Sequence, residues 1–402
     1  MRTTRICAMI ALSLAIGPAP LPGQTPPTPP APPVAVPMVE KPPEWPKEIG
    51  GKDLKGWLTE LKESTDGSVR ELAIKVIPQF GPPARRDSIK PLLSALRQEN
   101  DPGVKVHLLM VIGTIGAETP EEAREITEGL RLVIANAGLG SPYRLHAARA
   151  MINYGAFGAS AIPELKSIVA DPSWEIRRAV ATALGHVGRV DEKPSDPKKL
   201  PQPNTVERKG PNATALSTLN DRLGKEKTVA VRLEIVQSMI LLGPPGYKTS
   251  ADYPLAIKPY LTSVNEQLKV EKDKAIVVWL HVLTMLYDGT QLTDTVINKI
   301  ADNVVGTDYN AKVAAIRALG MLGDRAKPAL PKLIDVMKSD DPALVAEAIQ
   351  CLASMHAIAI PALPELEKIK KDSKEELLKS MASNAIDIIS GRKNPVVVPP
   401  KK

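Results

Sequence analysis

Residues 68–83 read Ser68-Val69-Arg70-Glu71-Leu72-Ala73-Ile74-Lys75-Val76-Ile77-Pro78-Gln79-Phe80-Gly81-Pro82-Pro83. Apolar and polar residues alternate on a helical period up to Phe80, and the pattern then stops. Glycine after a helix supplies a left-handed cap, and proline blocks continuation. Val69 and Gly81 are twelve positions apart, and the same spacing recurs in Val104/Gly116, Tyr143/Gly155, Ile176/Gly188, Val231/Gly243 and Ala311/Gly323. The residue after each first member is basic: Arg70, Lys105, Arg144, Arg177, Arg232 and Lys312. A phase that returns every 30 to 55 residues marks a stack of similar units, each burying its apolar face against the next.

A second helix opens each unit, with proline placed in its first turn, where a missing N–H costs no hydrogen bond. The openings are Ile89-Lys90-Pro91-Leu92-Leu93, Ala161-Ile162-Pro163-Glu164-Leu165 and Ala256-Ile257-Lys258-Pro259-Tyr260-Leu261. They recur as Pro328-Ala329-Leu330-Pro331-Lys332-Leu333 and Pro361-Ala362-Leu363-Pro364-Glu365-Leu366, 33 residues apart and different at one position. That match points to duplication. Before the first full unit, Leu54, Trp57, Leu58 and Leu61 form one apolar stripe, and Trp57 is expected to cover the open end of the stack.

The sequence resembles the HEAT-repeat family, in particular its short bilin-lyase-like repeats. Asp171-Pro172-Ser173-Trp174-Glu175-Ile176-Arg177-Arg178-Ala179 and Ala183-Leu184-Gly185-His186-Val187-Gly188 carry the likeness, which extends over about residues 51–391 in eight or nine units. The phase is lost at 271–290. At 343–355, Leu344 takes the basic place and Met355 the glycine place. The resemblance implies an all-α, right-handed superhelix of helical hairpins. It also implies an Asp–Arg ladder tying neighbouring repeats together.

Composition agrees with thin helical layers. Apolar residues are 43% of the chain but aromatics only 3%, too few to fill a broad α/β core. A net charge of +7 over 402 residues is modest and is no nucleic-acid signature. Arg2, Arg5 and an apolar run from Ile6 to Ile16 read as a signal peptide over 1–23, cleaved after Gly23 and too short to span a bilayer. The protein is therefore expected to be exported, to the periplasm, cell envelope or medium, with no membrane span after cleavage. The stretch 24–50 reads as a disordered Pro-rich spacer, and residues 18–46 hold thirteen of the 39 prolines. An insertion at 189–212, with five prolines and six basic residues, interrupts the repeats, and 392–402 form a basic tail.

No catalytic constellation emerges. There is no G-x-S-x-G, P-loop or Gly-rich dinucleotide turn, and Cys351, between Ile349 and Leu352, suits a buried thiol. His107 and His146 each follow a repeat marker by three residues, but no HExxH, CxxC or acidic cluster joins them, so neither metal nor cofactor is expected. Glu121-Glu122 suits a helix start, where negative charge is favoured. Asn212-Ala213-Thr214 fits a glycosylation sequon without being informative.

The basic column Arg70, Lys105, Arg144, Arg177, Arg232 and Lys312 has two readings. In one it bonds to Asp66, Asp101, Asp171 and Asp308, four to six residues upstream; in the other it grips an acidic partner. The expected function is a non-enzymatic scaffold binding a protein or peptide along a concave face. The alternatives are a lyase-like or enzyme-assisting role on a protein-bound group, and binding of acidic polymers through the column. Partner identity and oligomeric state are not written in the sequence.

Overall fold

The structure is a computed structural model that describes residues 45–191, 208–245 and 252–392. Among these residues, eighteen α-helices fall into nine consecutive pairs. The first three pairs are α1 (Leu54–Glu63) with α2 (Gly67–Val76), α3 (Arg85–Gln98) with α4 (Pro102–Ile115), and α5 (Pro120–Ala135) with α6 (Ser141–Met151). Next come α7 (Ile162–Ser167) with α8 (Trp174–Val187), α9 (Ala213–Leu223) with α10 (Val229–Leu242), and α11 (Tyr253–Val270) with α12 (Lys274–Tyr287). The last are α13 (Asp294–Asp302) with α14 (Tyr309–Leu322), α15 (Leu330–Val336) with α16 (Pro342–Ser354), and α17 (Leu363–Asp372) with α18 (Glu376–Ile389). The expected signal peptide, most of the spacer and all of the tail beyond Arg392 lie outside the described residues.

The helices form two rows. Each even-numbered helix packs directly on the next even-numbered one, from α2 through α18, whereas odd-numbered helices meet their counterparts more sparsely. The even row is thus the tighter, inner row. One apolar seam runs the length of the stack from Trp57 to Ile389 and is built almost wholly from Ala, Val, Leu, Ile and Met. No single pair could bury that face alone, so stability is shared between neighbours.

Local chemistry explains the element ends. Asp66, Asp101, Asp273, Asp308 and Asp341 each precede an even helix and accept backbone N–H bonds from its first turn. At the start of α5 the Thr119 hydroxyl oxygen accepts the Glu122 N–H and the Glu122 carboxylate accepts the Glu118 N–H, with Glu121 and Glu122 both in the first turn. Asn212, the sequon asparagine, caps α9 through its side chain. At the open end, Trp57 is buried and donates its indole N–H to the Ile49 carbonyl at 2.8 Å. Ile49, assigned to the spacer from sequence, therefore packs against the repeat core.

Several expectations need correction. Pro163, Pro331 and Pro364 do lie at helix starts, but α3 begins at Arg85 and α11 at Tyr253, so Pro91 and Pro259 are interior. The short turn Pro82–Ala84 runs straight into α3, extending that helix upstream of the apolar opening. The unit around α16 is phased one residue later than the sequence suggested. Counting from its N-cap Asp341, Val345 takes the basic place and His356 the glycine place, rather than Leu344 and Met355. His356 has φ 46°, the left-handed conformation of Gly81, Gly116, Gly155, Gly243 and Gly323. Finally, the insertion is not wholly loop: Arg189–Asp191 (β1) and Arg208–Pro211 (β2) pair as an antiparallel ribbon with a register irregularity between Val190 and Asp191. Residues 192–207 lie outside the described residues.

Close approach between even helices demands small residues at the crossing. A Cβ at Gly185 of α8 would come within 2.7 Å of the Ser238 Cβ and 3.1 Å of its Cα on α10. Gly185→Val should therefore force the two helices apart and destabilise the protein by about 1–3 kcal/mol. Chemical denaturation measures this directly. An unchanged midpoint would mean the crossing is looser than the geometry requires.

Candidate functional site

The six basic residues of the column occupy one equivalent place, the fourth residue after the N-cap of α2, α4, α6, α8, α10 and α14. Four of them reach forward to the next unit. Arg70 meets Glu99 with two hydrogen bonds of 2.8 Å, Arg177 meets Glu226 at 2.8 and 2.9 Å, and Arg232 meets Glu271 at 2.8 and 3.0 Å. Arg144 reaches Asp171 through a single bond of 3.1 Å. Each acid stands two residues before the N-cap of the next even helix.

Each pair is also a clasp on the backbone. The arginines donate to carbonyls six residues upstream, Ser64 for Arg70, Asp171 for Arg177 and Glu226 for Arg232. The acids accept from backbone N–H groups one or two residues ahead, as Glu99 does from Asn100 and Asp101. One guanidinium thus joins its own interhelical turn to the next one. Asp66, Asp101 and Asp308 do not bond the column side chains, as the first reading of the column expected, because their carboxylates cap helices. Asp171 is the exception, pairing with Arg144 of the preceding unit rather than with the Arg177 guanidinium through its carboxylate.

The acids are nearly or fully buried: the Glu226 side chain is 0% exposed, Glu271 1%, Glu99 and Asp171 5%. Burial by itself would raise the Glu226 carboxyl. Hydrogen bonds from Arg177, the Thr228 N–H and Arg222 outweigh it and hold the group down at about 2. The same balance lowers Glu271, through Arg232, the Asp273 N–H and Gln267. The Arg70 bond is the largest influence lowering Glu99.

The ladder has gaps. Lys105 occupies the arginine place on α4, but the acid place ahead of it is Gly138, and its ammonium lies 5.8 Å from the Tyr143 ring centre. Lys312 faces Ser339 in the same scheme, while Val277 is matched with Gly306 and Val345 with Ser373. Where the base is valine, no acid follows. A buried carboxylate without its guanidinium would carry an uncompensated charge, which explains the joint absence. The acids were missed in the sequence because they lie one unit away at separations from 27 to 49 residues. The signal that could have found them is their place two residues before the next cap.

Two further groups fall at equivalent places. His107 and His146 are both sixth after their N-caps, and burial, Arg149 and His107 together lower His146. Among the described residues no group of three or more His, Cys, Asp or Glu could hold a metal ion. Cys351 is buried, and its thiol is pushed up by that burial.

Paired helices in two rows, tied by an inter-unit ion-pair ladder, define an α-solenoid. A model described as HEAT repeats matches residues 297–387, which span α14 to α17 and most of α18. This match supports the HEAT-repeat reading of the sequence. No curated protein matches it. The crystal structure of an engineered protein is similar at 17% identity, covering 85% of this chain and 89% of that one, with a TM-score of 0.41. Among the described residues no helix is long and apolar enough to cross a membrane.

Arg177→Met should leave Glu226 buried beside Arg222 alone and cost about 3–5 kcal/mol, whereas Arg177→Met with Glu226→Leu should recover most of that loss. Equal losses in the single and double variants would refute a role confined to the pair. Because the folded Glu226 lies below the ordinary carboxylate value near 4.3, its stabilisation is complete above that value and is lost as pH falls towards about 2. Glu226→Gln should flatten the acid limb of stability in that window. The single-pronged Arg144 leaves its buried Nε without a partner. Asp171→Glu, one methylene longer, should satisfy it and stabilise by about 0.5–1.5 kcal/mol in thermal or urea unfolding.

Proposed function

We propose that the protein is a non-enzymatic scaffold that holds a protein or peptide segment along the concave side formed by the even-numbered helices. The observation that carries this reading is the set of large apolar side chains left open to solvent on those helices. Leu72 of α2, Met110 of α4, Trp174 of α8, and Tyr309 and Met321 of α14 are 42–54% exposed. Methionine and aromatic residues adapt to a partner's surface and are enriched at the centres of interfaces.

The ladder speaks against the acidic-polymer alternative. Arg70, Arg144, Arg177 and Arg232 already spend their hydrogen bonds on internal acids, which leaves Lys105 and Lys312 of the column. A lyase-like role calls for a pocket with convergent unpaired polar groups. A cavity of about 390 Å³ beside Val345 and Ser373 is lined by Lys338 and Lys368, which pair with Asp335 and Glu365, and by Asp340 and Asp372, and it holds no histidine or cysteine. The scaffold works outside the cytoplasm in this reading, exported by residues 1–23.

A photo-reactive residue in place of Met110 or Trp174 should cross-link a partner saturably when the protein is isolated from its own cells. The same group at Glu367 on α17, exposed in the outer row, should not. Equal labelling at all three positions, or none that saturates, would count against the scaffold. N-terminal sequencing of the exported protein tests cleavage after Gly23.

A further inference from the structure

Two of the four gaps in the ladder lie beside cavities. Between α3, α4 and α5 lies a cavity of about 170 Å³ lined by Leu93, Leu96, Val133 and Leu139, with Arg97 and Lys105 among its walls. It opens where Lys105 faces Gly138. The second cavity opens where Val345 faces Ser373. An arginine–glutamate pair occupies space between two units, and at these two gaps that space is open. At the first gap half of the pair survives: Lys105 keeps the basic place, and neither it nor Arg97 forms an ion pair among the described residues, Arg97 only donating to the Leu93 carbonyl at 3.2 Å. The second gap keeps no base in the ladder place; its lysines, Lys338 and Lys368, pair with Asp335 and Glu365, and Asp340 and Asp372 add negative charge to its wall.

We infer that the α4–α6 gap is a receptor for a carboxylate borne by a partner's peptide, with an aliphatic side chain beside that carboxylate entering the leucine-lined cavity. The inference rests on the scaffold reading and names the chemistry its partner must bring. Three features specify the occupant. The missing rung is an acid, and in every filled rung an acid stands against the basic residue. Two cations wall one cavity with no internal anion. Apart from Asn136 and Gly129 the rest of the wall is aliphatic, the cavity is large enough for a leucine-sized side chain, and Leu132 at its edge is 47% exposed. An acidic residue flanked by leucines satisfies all three, completing the ladder from outside.

The gap can also be closed from inside. Gly138 does not have a left-handed φ, and a Cβ there meets only the Asn136 Oδ1 at 3.2 Å, the end of a side chain. Gly138→Asp therefore supplies the absent rung. The probe is the peptide acetyl-Ser-Leu-Glu-Leu-Ser-amide, compared with its Gln counterpart, titrated into the full-length protein by calorimetry or fluorescence anisotropy. The Glu peptide should bind at least tenfold more tightly than the Gln peptide, with affinity falling as salt rises. Lys105→Met and Arg97→Met should each weaken it severalfold, and Gly138→Asp at least tenfold without lowering the melting temperature. Indistinguishable Glu and Gln peptides, no binding by either, or full affinity in Lys105→Met and Gly138→Asp would overturn the inference. The two readings fail separately. If the Met110 and Trp174 cross-links persist while the peptide result is negative, only the carboxylate receptor falls.

Discussion

The carboxylates of Glu99, Glu226 and Glu271 sit nearly out of reach of water, and a charge there is tolerable only because a guanidinium from the preceding unit meets it with two hydrogen bonds. That requirement sets the spacing of the units. Each arginine also holds a carbonyl of its own interhelical turn, and each acid holds the N–H groups leading into the next helix. Successive turns are therefore linked in a fixed register, while the apolar seam supplies the bulk of the attraction. The seam could tolerate some sliding of one layer over another; the paired charges do not.

The same logic makes the exceptions informative. A rung can vanish harmlessly when both members go, as at Val277 with Gly306, and the stack continues on packing alone. A rung that loses only its acid leaves a base beside empty volume, which is the situation of Lys105. The column read from the sequence as one set of equivalent residues thus divides into two kinds. Arg70, Arg144, Arg177 and Arg232 are internal struts; Lys105 and Lys312 remain available to something else.

The even row carries the struts together with several of the open apolar side chains, although Leu132 of α5 and Leu255 and Val270 of α11 are open as well. Met110 and Trp174 project from helices that the ladder ties to a neighbour, whereas Tyr309 sits on α14, where both adjoining rungs are missing. A partner would meet a surface organised in advance, with little ordering of the scaffold upon binding. Small residues at the helix crossings, such as Gly185 against Ser238, bring the inner row close enough for adjacent side chains to form one surface.

Much of the solenoid was legible in the chain itself, because helical period, capping aspartates and the glycine after each inner helix are local signals acting within about fifteen residues. The same locality explains the misreadings. At α16 the left-handed position passed to His356, so the glycine marker vanished and the phase slipped by one. Pro91 looked like a helix start because the short turn Pro82–Ala84 merges into α3 without a local stop, and Pro259 because α11 already begins at Tyr253. The partners of the column, the cavities at its gaps and the ribbon at the foot of the insertion depend on residues brought together from different units. Pairing across 27 to 49 residues is decided by how helices stack, since a charge buried between two layers is neutralised by whatever the next layer places opposite it.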